Sequence, residues 1–140
     1  MNGHFLEDLE VGQSAELTRT VAEGDLSAFA DVTGDTNPVH LDEAYAAATQ
    51  FKGRIAHGML SAGYISAVMG TVLPGPGAVY VSQSLRFRRP VRIGDAVTAQ
   101  VEVTAIDAAR GRVTLATACT VNGKTVVDGE AVAVVPRRPA

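Results

Sequence analysis

The sequence predicts an α+β protein in which an antiparallel β-sheet lies against one long apolar helix. Three observations lead there. Gly58 to Leu73 is apolar nearly all round and rich in Gly, Ala and Ser, as suits a helix buried under a closely packed sheet. Beyond it the apolar residues recur at every second position, the period of strands with one buried face. Asn122-Gly123 joins two of these alternating runs. A tight type I′ hairpin turn needs positive φ at both its central positions, and Asn-Gly supplies them.

Taken in order, Gln13 to Val21 is the first strand. Leu26, Phe29 and Ala30 fall at helical spacing within Glu23 to Thr33, and Gly34 stands where a helix C-terminus favours glycine. Gly34 to Pro38 is a loop of turn-forming residues, with Pro38 disfavouring helix at Asn37. Asp42 is placed to cap a short helix through Ala48. The long helix follows and is stopped by Pro74-Gly75-Pro76-Gly77. Val79, Val81, Gln83, Leu85 and Phe87 are expected on one face of the next strand. Val97, Ala99, Val101, Val103 and Ala105 share a face of another. Val113, Leu115, Thr117, Cys119 and Val121 form a further buried face, and Lys124 to Val135 is the return strand with Gly129 as a bulge. The expected sheet is a four-stranded meander joined by the N-terminal strand. The tail Pro136 to Ala140 is expected to fray.

The 140 residues suit a single domain over 1–140, and 46% apolar content supports a core without a staple. A net charge of −3 argues against non-specific nucleic-acid binding. The lone Cys119 excludes an intramolecular disulfide and a Cys-based zinc site, and its alternating apolar surroundings make it a buried, inert thiol. Met1 to Val11 is polar and lacks the apolar core of a secretory signal, and Gly and Ser interrupt the apolar stretch of 55–73. A cytoplasmic protein without a membrane span is therefore expected.

Chemistry concentrates at Gly34-Asp35-Thr36-Asn37-Pro38-Val39-His40. A carboxylate and an imidazole five positions apart on a bent loop can converge on one water, as acid–base catalysis requires. Asp35 and Asn37 are also good turn formers, and spacing alone leaves both readings open. A second candidate is Ala56-His57-Gly58-Met59-Leu60, where the long helix begins. Its first N–H groups have no helical partner and carry partial positive charge, and Gly58 lets a ligand approach the backbone. A carbonyl oxygen gaining negative charge would be stabilised there; close helix packing explains Gly58 equally well. His57 is taken as structural, Ser66 as a small residue bonded to its own helix, and His4 as a residue without evident partner.

Together these segments resemble the MaoC-like family, the (R)-specific or type 2 enoyl-CoA hydratases. The stretch from Gly34 to His40 matches the family's hydratase signature. Ile55 to Leu60 matches the opening of its long helix, and Gln83 to Val91 with Gly94-Asp95 matches the strand and turn beyond. The resemblance implies the hotdog fold, a sheet wrapped around a central helix. It also implies that Asp35 takes a proton from water, that His40 assists and protonates the substrate α-carbon, and that the Gly58 N–H binds the thioester oxygen. Ser66 matches a position that helps arrange the site. An acyl-CoA substrate, a homodimer and no metal or cofactor are implied as well. Asn37, Arg86 and Arg88 are the candidate substrate-binding residues. The two arginines belong to a basic run with Arg89 and Arg92 suited to phosphate, although a solvated strand edge reads the same way. The competing readings are an acyl-carrier-protein dehydratase, an acyl-CoA thioesterase and a non-catalytic acyl-CoA module. The absence of Asp, Glu and His from 58–73 argues against the first two, and the Asp35–His40 pair against the third.

Overall fold

A computed structural model describes residues 3–140; Met1 and Asn2, which open the polar N-terminal segment, lie outside the described residues. Five strands form one antiparallel sheet: β1 (Ser14–Thr20), β2 (Val79–Phe87), β3 (Ala96–Asp107), β4 (Arg112–Val121) and β5 (Lys124–Val134). Four helices accompany it: α1 (Glu23–Thr33), α2 (Pro38–Leu41), α3 (Glu43–Ala47) and α4 (Gly58–Thr71). The hotdog arrangement is therefore present, with α4 as the central helix.

Local chemistry forms these elements where expected. Gly34 closes α1 in the left-handed region at φ 81°, its N–H bonded to the Ala30 carbonyl. The Asp42 carboxylate caps α3 by accepting from the Tyr45 N–H. Asn122 and Gly123 both have positive φ, 51° and 76°, and turn β4 into β5.

The strand order β1-β3-β4-β5-β2 corrects the expected four-stranded meander. Only β3, β4 and β5 follow one another; β2 pairs with β5 at the far edge. The chain from Arg88 to Asp95 therefore returns past the N-terminus of α4. On the way, the buried Val91 accepts a hydrogen bond from Ala56 N–H at 2.7 Å. This crossing places the 88–91 segment beside the start of α4.

Three bulges revise the facing of residues. Val81 is an extra residue in β2, so Tyr80 joins Gln83, Leu85 and Phe87 on the helix side while Val79 pairs with the outward Val134. The Tyr80 hydroxyl accordingly donates to Gln83 Oε1 at 2.8 Å. Thr104 is extra in β3, which turns Ala105 outward and Ile106 toward the core. In β5 the extra residue is Val126, not Gly129. Gly129 stays in register, and a Cβ there would stand 1.8 Å from the Ser84 carbonyl oxygen, so glycine permits the close approach of β2.

The core lies between the sheet and one face of α4. Ile65, Val68 and Met69 pack with Val97, Val101, Val103, Val113 and Leu115, all essentially buried. Each fully buried aliphatic side chain contributes about 1.5–3 kcal/mol. The opposite face of α4, with Met59, Gly63, Ser66 and Gly70, is exposed, so the helix is covered on one side rather than all round. The tail is anchored rather than frayed. Pro136 accepts from Leu6 N–H, Arg137 donates to the Ala108 carbonyl, and Arg138 pairs with Asp8 and stacks over Phe5. His4 also has a partner, its Nδ1 donating to the Pro74 carbonyl at 3.1 Å. No helix among the described residues is long and apolar enough to cross a membrane.

Candidate active site

The Asp35–His40 segment is folded by its own side chains. Thr33 Oγ1 accepts from Asp35 N–H at 3.1 Å, and Asp35 Oδ1 accepts from Asn37 N–H at 3.2 Å. Asn37 Oδ1 then accepts from Val39 N–H at 3.2 Å, capping α2. Pro38 occupies the first turn of that helix, where its missing N–H costs nothing. His40 thus rides on a one-turn helix rather than on open loop, and Asn37 acts as its cap.

The segment before α4 clamps this turn from the other side. The Ile55 carbonyl accepts from His40 Nδ1 at 2.7 Å. Arg54 Nε donates to the His40 carbonyl at 2.7 Å, while Arg54 is itself held by Glu23 at 2.8 Å. A carbonyl only accepts, so Nδ1 carries the proton of the neutral ring and Nε2 keeps its lone pair. Burial lowers the His40 pKa from its ordinary 6.5. The Ile55 hydrogen bond pulls upward, neighbouring His57 pulls further down, and the Asp35 charge pulls up.

Asp35, His40 and His57 each bring one ligand-type atom to within 4.8 Å of the others. Asp35 is exposed, His40 partly buried, and His57 buried. The His40 and His57 rings stack with centroids 3.9 Å apart and planes tilted by 30°. His40 Nδ1 and His57 Nε2 are turned to backbone oxygens, which leaves the lone pairs of His40 Nε2 and His57 Nδ1 as the free ring acceptors of the group.

Beside His40 opens a cavity of about 440 Å³. Its walls are mostly apolar, formed by Phe51, Ile55, Met59, Phe87 and Val127, with Gly58 among them. No side chain caps the N-terminus of α4, whose first residue is Gly58. Its N–H groups and partial positive charge thus meet an apolar chamber next to an imidazole, a setting suited to charge developing on a carbonyl oxygen. Arg88 and Arg89 also line this cavity.

The sequence-predicted residues separate accordingly. Asp35 and His40 come together, and His40 and Gly58 share the cavity. Ser66 is exposed and eight residues further along α4, about 12 Å at 1.5 Å per residue, and does not line the cavity. Arg86 lies on the outward sheet face, paired in register with Asp128. Arg88 lies past the strand end and donates to Asp128 at 3.0 Å. The two therefore do not share one strand, although their spacing of two would put them on one face of a regular one. Sequence reading missed Arg54, which braces His40, and the apolar walls Phe51 and Met59. The Ile55-Ala56-His57 stretch signalled its importance, but not the ring stack. Cys119 is buried as expected, and burial pushes its thiol up to about 12.

Comparison with known proteins adds to this geometry. Residues 6–128 match the family model described as MaoC-like domain. The chain is 58% identical over 135 residues to an (R)-specific enoyl-CoA hydratase of Rhodospirillum rubrum, covering 96% of this chain and 94% of that protein. It is 53% identical to a 3-hydroxybutyryl-CoA dehydratase of Methylorubrum extorquens, covering 96% and 85%. Among solved structures, an unliganded R-hydratase from Pseudomonas aeruginosa superposes with a TM-score of 0.92 at 54% identity, covering 97% of this chain and 88% of the other.

Proposed function

The chain belongs to the MaoC-like family, and from that premise we propose how its site hydrates a trans-2-enoyl-CoA. The protein is a hydro-lyase, an (R)-specific enoyl-CoA hydratase that yields (R)-3-hydroxyacyl-CoA. The observation that carries the mechanism is the meeting of the Asp35 carboxylate and the His40 imidazole beside an apolar cavity that also reaches Gly58.

Asp35 and His40 hold one water between them. As its oxygen attacks C3 of the enoyl group, an O–H bond breaks and the proton passes to the pair, with the Asp35 carboxylate the anionic acceptor. The π electrons move toward the thioester, whose oxygen takes up negative charge beside the Gly58 N–H. His40 Nε2 is bare in the neutral ring, so it can give a proton to C2 only after receiving one from the water or through Asp35. One water is consumed, one C–O and one C–H bond form, and the pair ends in its starting state. No metal or cofactor enters this scheme. Asn37 supports the scheme by capping α2. Ser66, exposed and away from the cavity, takes no part in it.

The acyl chain occupies the apolar cavity. The CoA phosphates meet the arginines at 88 and 89, with Arg89 favoured over the sequence candidate Arg86, because Arg89 lines the cavity and Arg86 is on the outward sheet face. The protein works as a homodimer, in which a second copy covers the exposed face of α4 and extends the sheet at β2, an edge strand whose Val79 is 62% exposed. We place it in the cytoplasm.

The test is direct. Purified protein should bleach the near-ultraviolet absorbance of the conjugated crotonyl thioester without releasing free thiol. Folded Asp35→Asn should not. Thiol release would point to a thioesterase, and an active Asp35→Asn would overturn the mechanism.

A further inference from the structure

We propose that His57 is a positioning residue that holds Asp35, His40 and the N-terminus of α4 in working register; this rests on the hydratase reading above. His57 is only 2% exposed and stands at the position immediately before α4. Its ring lies between Phe29, at 4.6 Å, and His40, at 3.9 Å between centroids. Its Nε2 is 3.1 Å from the backbone oxygen of Asp35. That oxygen can only accept, so Nε2 carries the proton.

The remaining nitrogen is the informative one. His57 Nδ1 is buried and has no hydrogen-bond partner among the described residues. A ring chosen only to fill space would not leave a polar atom stranded, since an apolar side chain packs there without that penalty. The other two features of the ring supply the reason for a histidine. Its Nε2–H fixes the Asp35 backbone, which otherwise sits in an exposed turn held by short-range bonds to Thr33 and Asn37. Its face limits the tilt of His40, whose rotation is already set by the Ile55 carbonyl. Because the next residue is Gly58, one side chain ties both members of the acid–base pair to the backbone that meets the thioester oxygen. A flat ring with a donor on its far edge can do both tasks at once. Leu lacks the donor and Gln lacks the ring.

The experiment separates those tasks. His57→Phe keeps the stacked ring and removes the donor, and His57→Gln keeps a donor and removes the ring. Circular dichroism and thermal melts establish the folded fraction of each. Per folded enzyme, His57→Phe should lower kcat for crotonyl-CoA about tenfold or more while KM stays within about twofold, as befits misaligned catalytic groups in an intact binding cavity. His57→Gln should recover part of that loss. Adding His57→Phe to Asp35→Asn should cost less than about twofold further, because a residue that acts by placing Asp35 has little left to place. The proposal is overturned if His57→Phe keeps the parent kcat per folded enzyme, if His57→Gln is no better than His57→Phe, or if the two losses multiply. Asp35→Asn alone distinguishes the levels: an active single variant fails the hydratase mechanism itself, whereas an inactive one beside an active His57→Phe fails only this inference.

Discussion

Gly58→Ala isolates the contribution of bare backbone at the start of α4. The added Cβ would stand 2.5 and 2.6 Å from two ring carbons of Phe87. Carbon atoms rest at about 3.5–4.0 Å, so the ring must retreat by roughly 1 Å. Phe87 is 55% exposed and can swing toward solvent, which puts the folding cost near the low end of the overpacking range, about 1 kcal/mol. For a chain of this size that is a loss of only a few degrees, about 3–4 °C, in Tm. Activity should suffer far more. The same methyl intrudes where the thioester must approach the Gly58 N–H, and a misplacement of about 1 Å can lower kcat/KM by roughly 10²-fold. Crotonyl-CoA hydration followed by absorbance, with a melt on the same sample, measures both. Phe87→Leu in the Gly58→Ala background should relieve the clash and return the lost stability while activity stays low, because the methyl remains at the N–H. A Gly58→Ala enzyme within about twofold of the parent would refute the role of this backbone, as would a double variant that regains full activity.

Other perturbations address the remaining parts. Asp35→Asn and His40→Ala should each cost on the order of 10²–10⁴ in kcat, and the double variant little more, since the two act as a unit; multiplied losses would separate them. Burial lowers the His40 pKa, so the acid limb of kcat/KM should lie below pH 6.5, with activity kept above it and lost as Nε2 is protonated. The stability sign is opposite to that of a stabilised cation. The unfolded ring binds its proton more readily, so His40 costs nothing above pH 6.5 and destabilises the fold as pH falls through that value, fully so below its folded pKa; an acid limb above 6.5 would contradict this. Arg89→Ala should raise KM for crotonyl-CoA several-fold while Arg86→Ala leaves it unchanged, and the reverse result would return the phosphate site to Arg86. Light scattering should give twice the 14.5 kDa chain mass, and a monomer mass at working concentration would count against the dimer.

What the sequence made legible follows from the range over which each signal acts. Gly34, Asp42 and Asn122-Gly123 specify φ angles and caps within a few residues, and each performs as local chemistry dictates. Alternation likewise identified the buried faces of Val97 to Val103 and Val113 to Cys119. It failed at Val81, Thr104 and Val126, because a bulge is imposed by the partner strand and leaves no period of its own in a run of β-branched or small residues. Strand order was misread for a related reason. Sequence neighbours usually pair, but the 88–95 segment leads from β2 at one edge to β3, three strands away, and its anchors, Ala56 to Val91 and Gly94 to Val21, are contacts between distant residues.

The same division runs through the site. Asp35 and His40 were visible because both lie in one motif with Pro38, and Gly58 because a glycine opens a helix. The contacts that set their relationship join 35 to 57, 40 to 55 and 40 to 54 across separate elements. Periodicity says nothing about such pairs. The fate of the basic run makes the point from the other direction. Arg86 and Arg88 are two residues apart and would share a face on any regular strand. The strand stops at Phe87, and Arg88 N–H instead bonds the carbonyl of the bulged Val126. A bulge on β5, itself invisible in the sequence, thus helps set which arginines reach the cavity. The two-residue difference between Arg86 and Arg88 becomes a difference between the outward sheet face and the cavity wall.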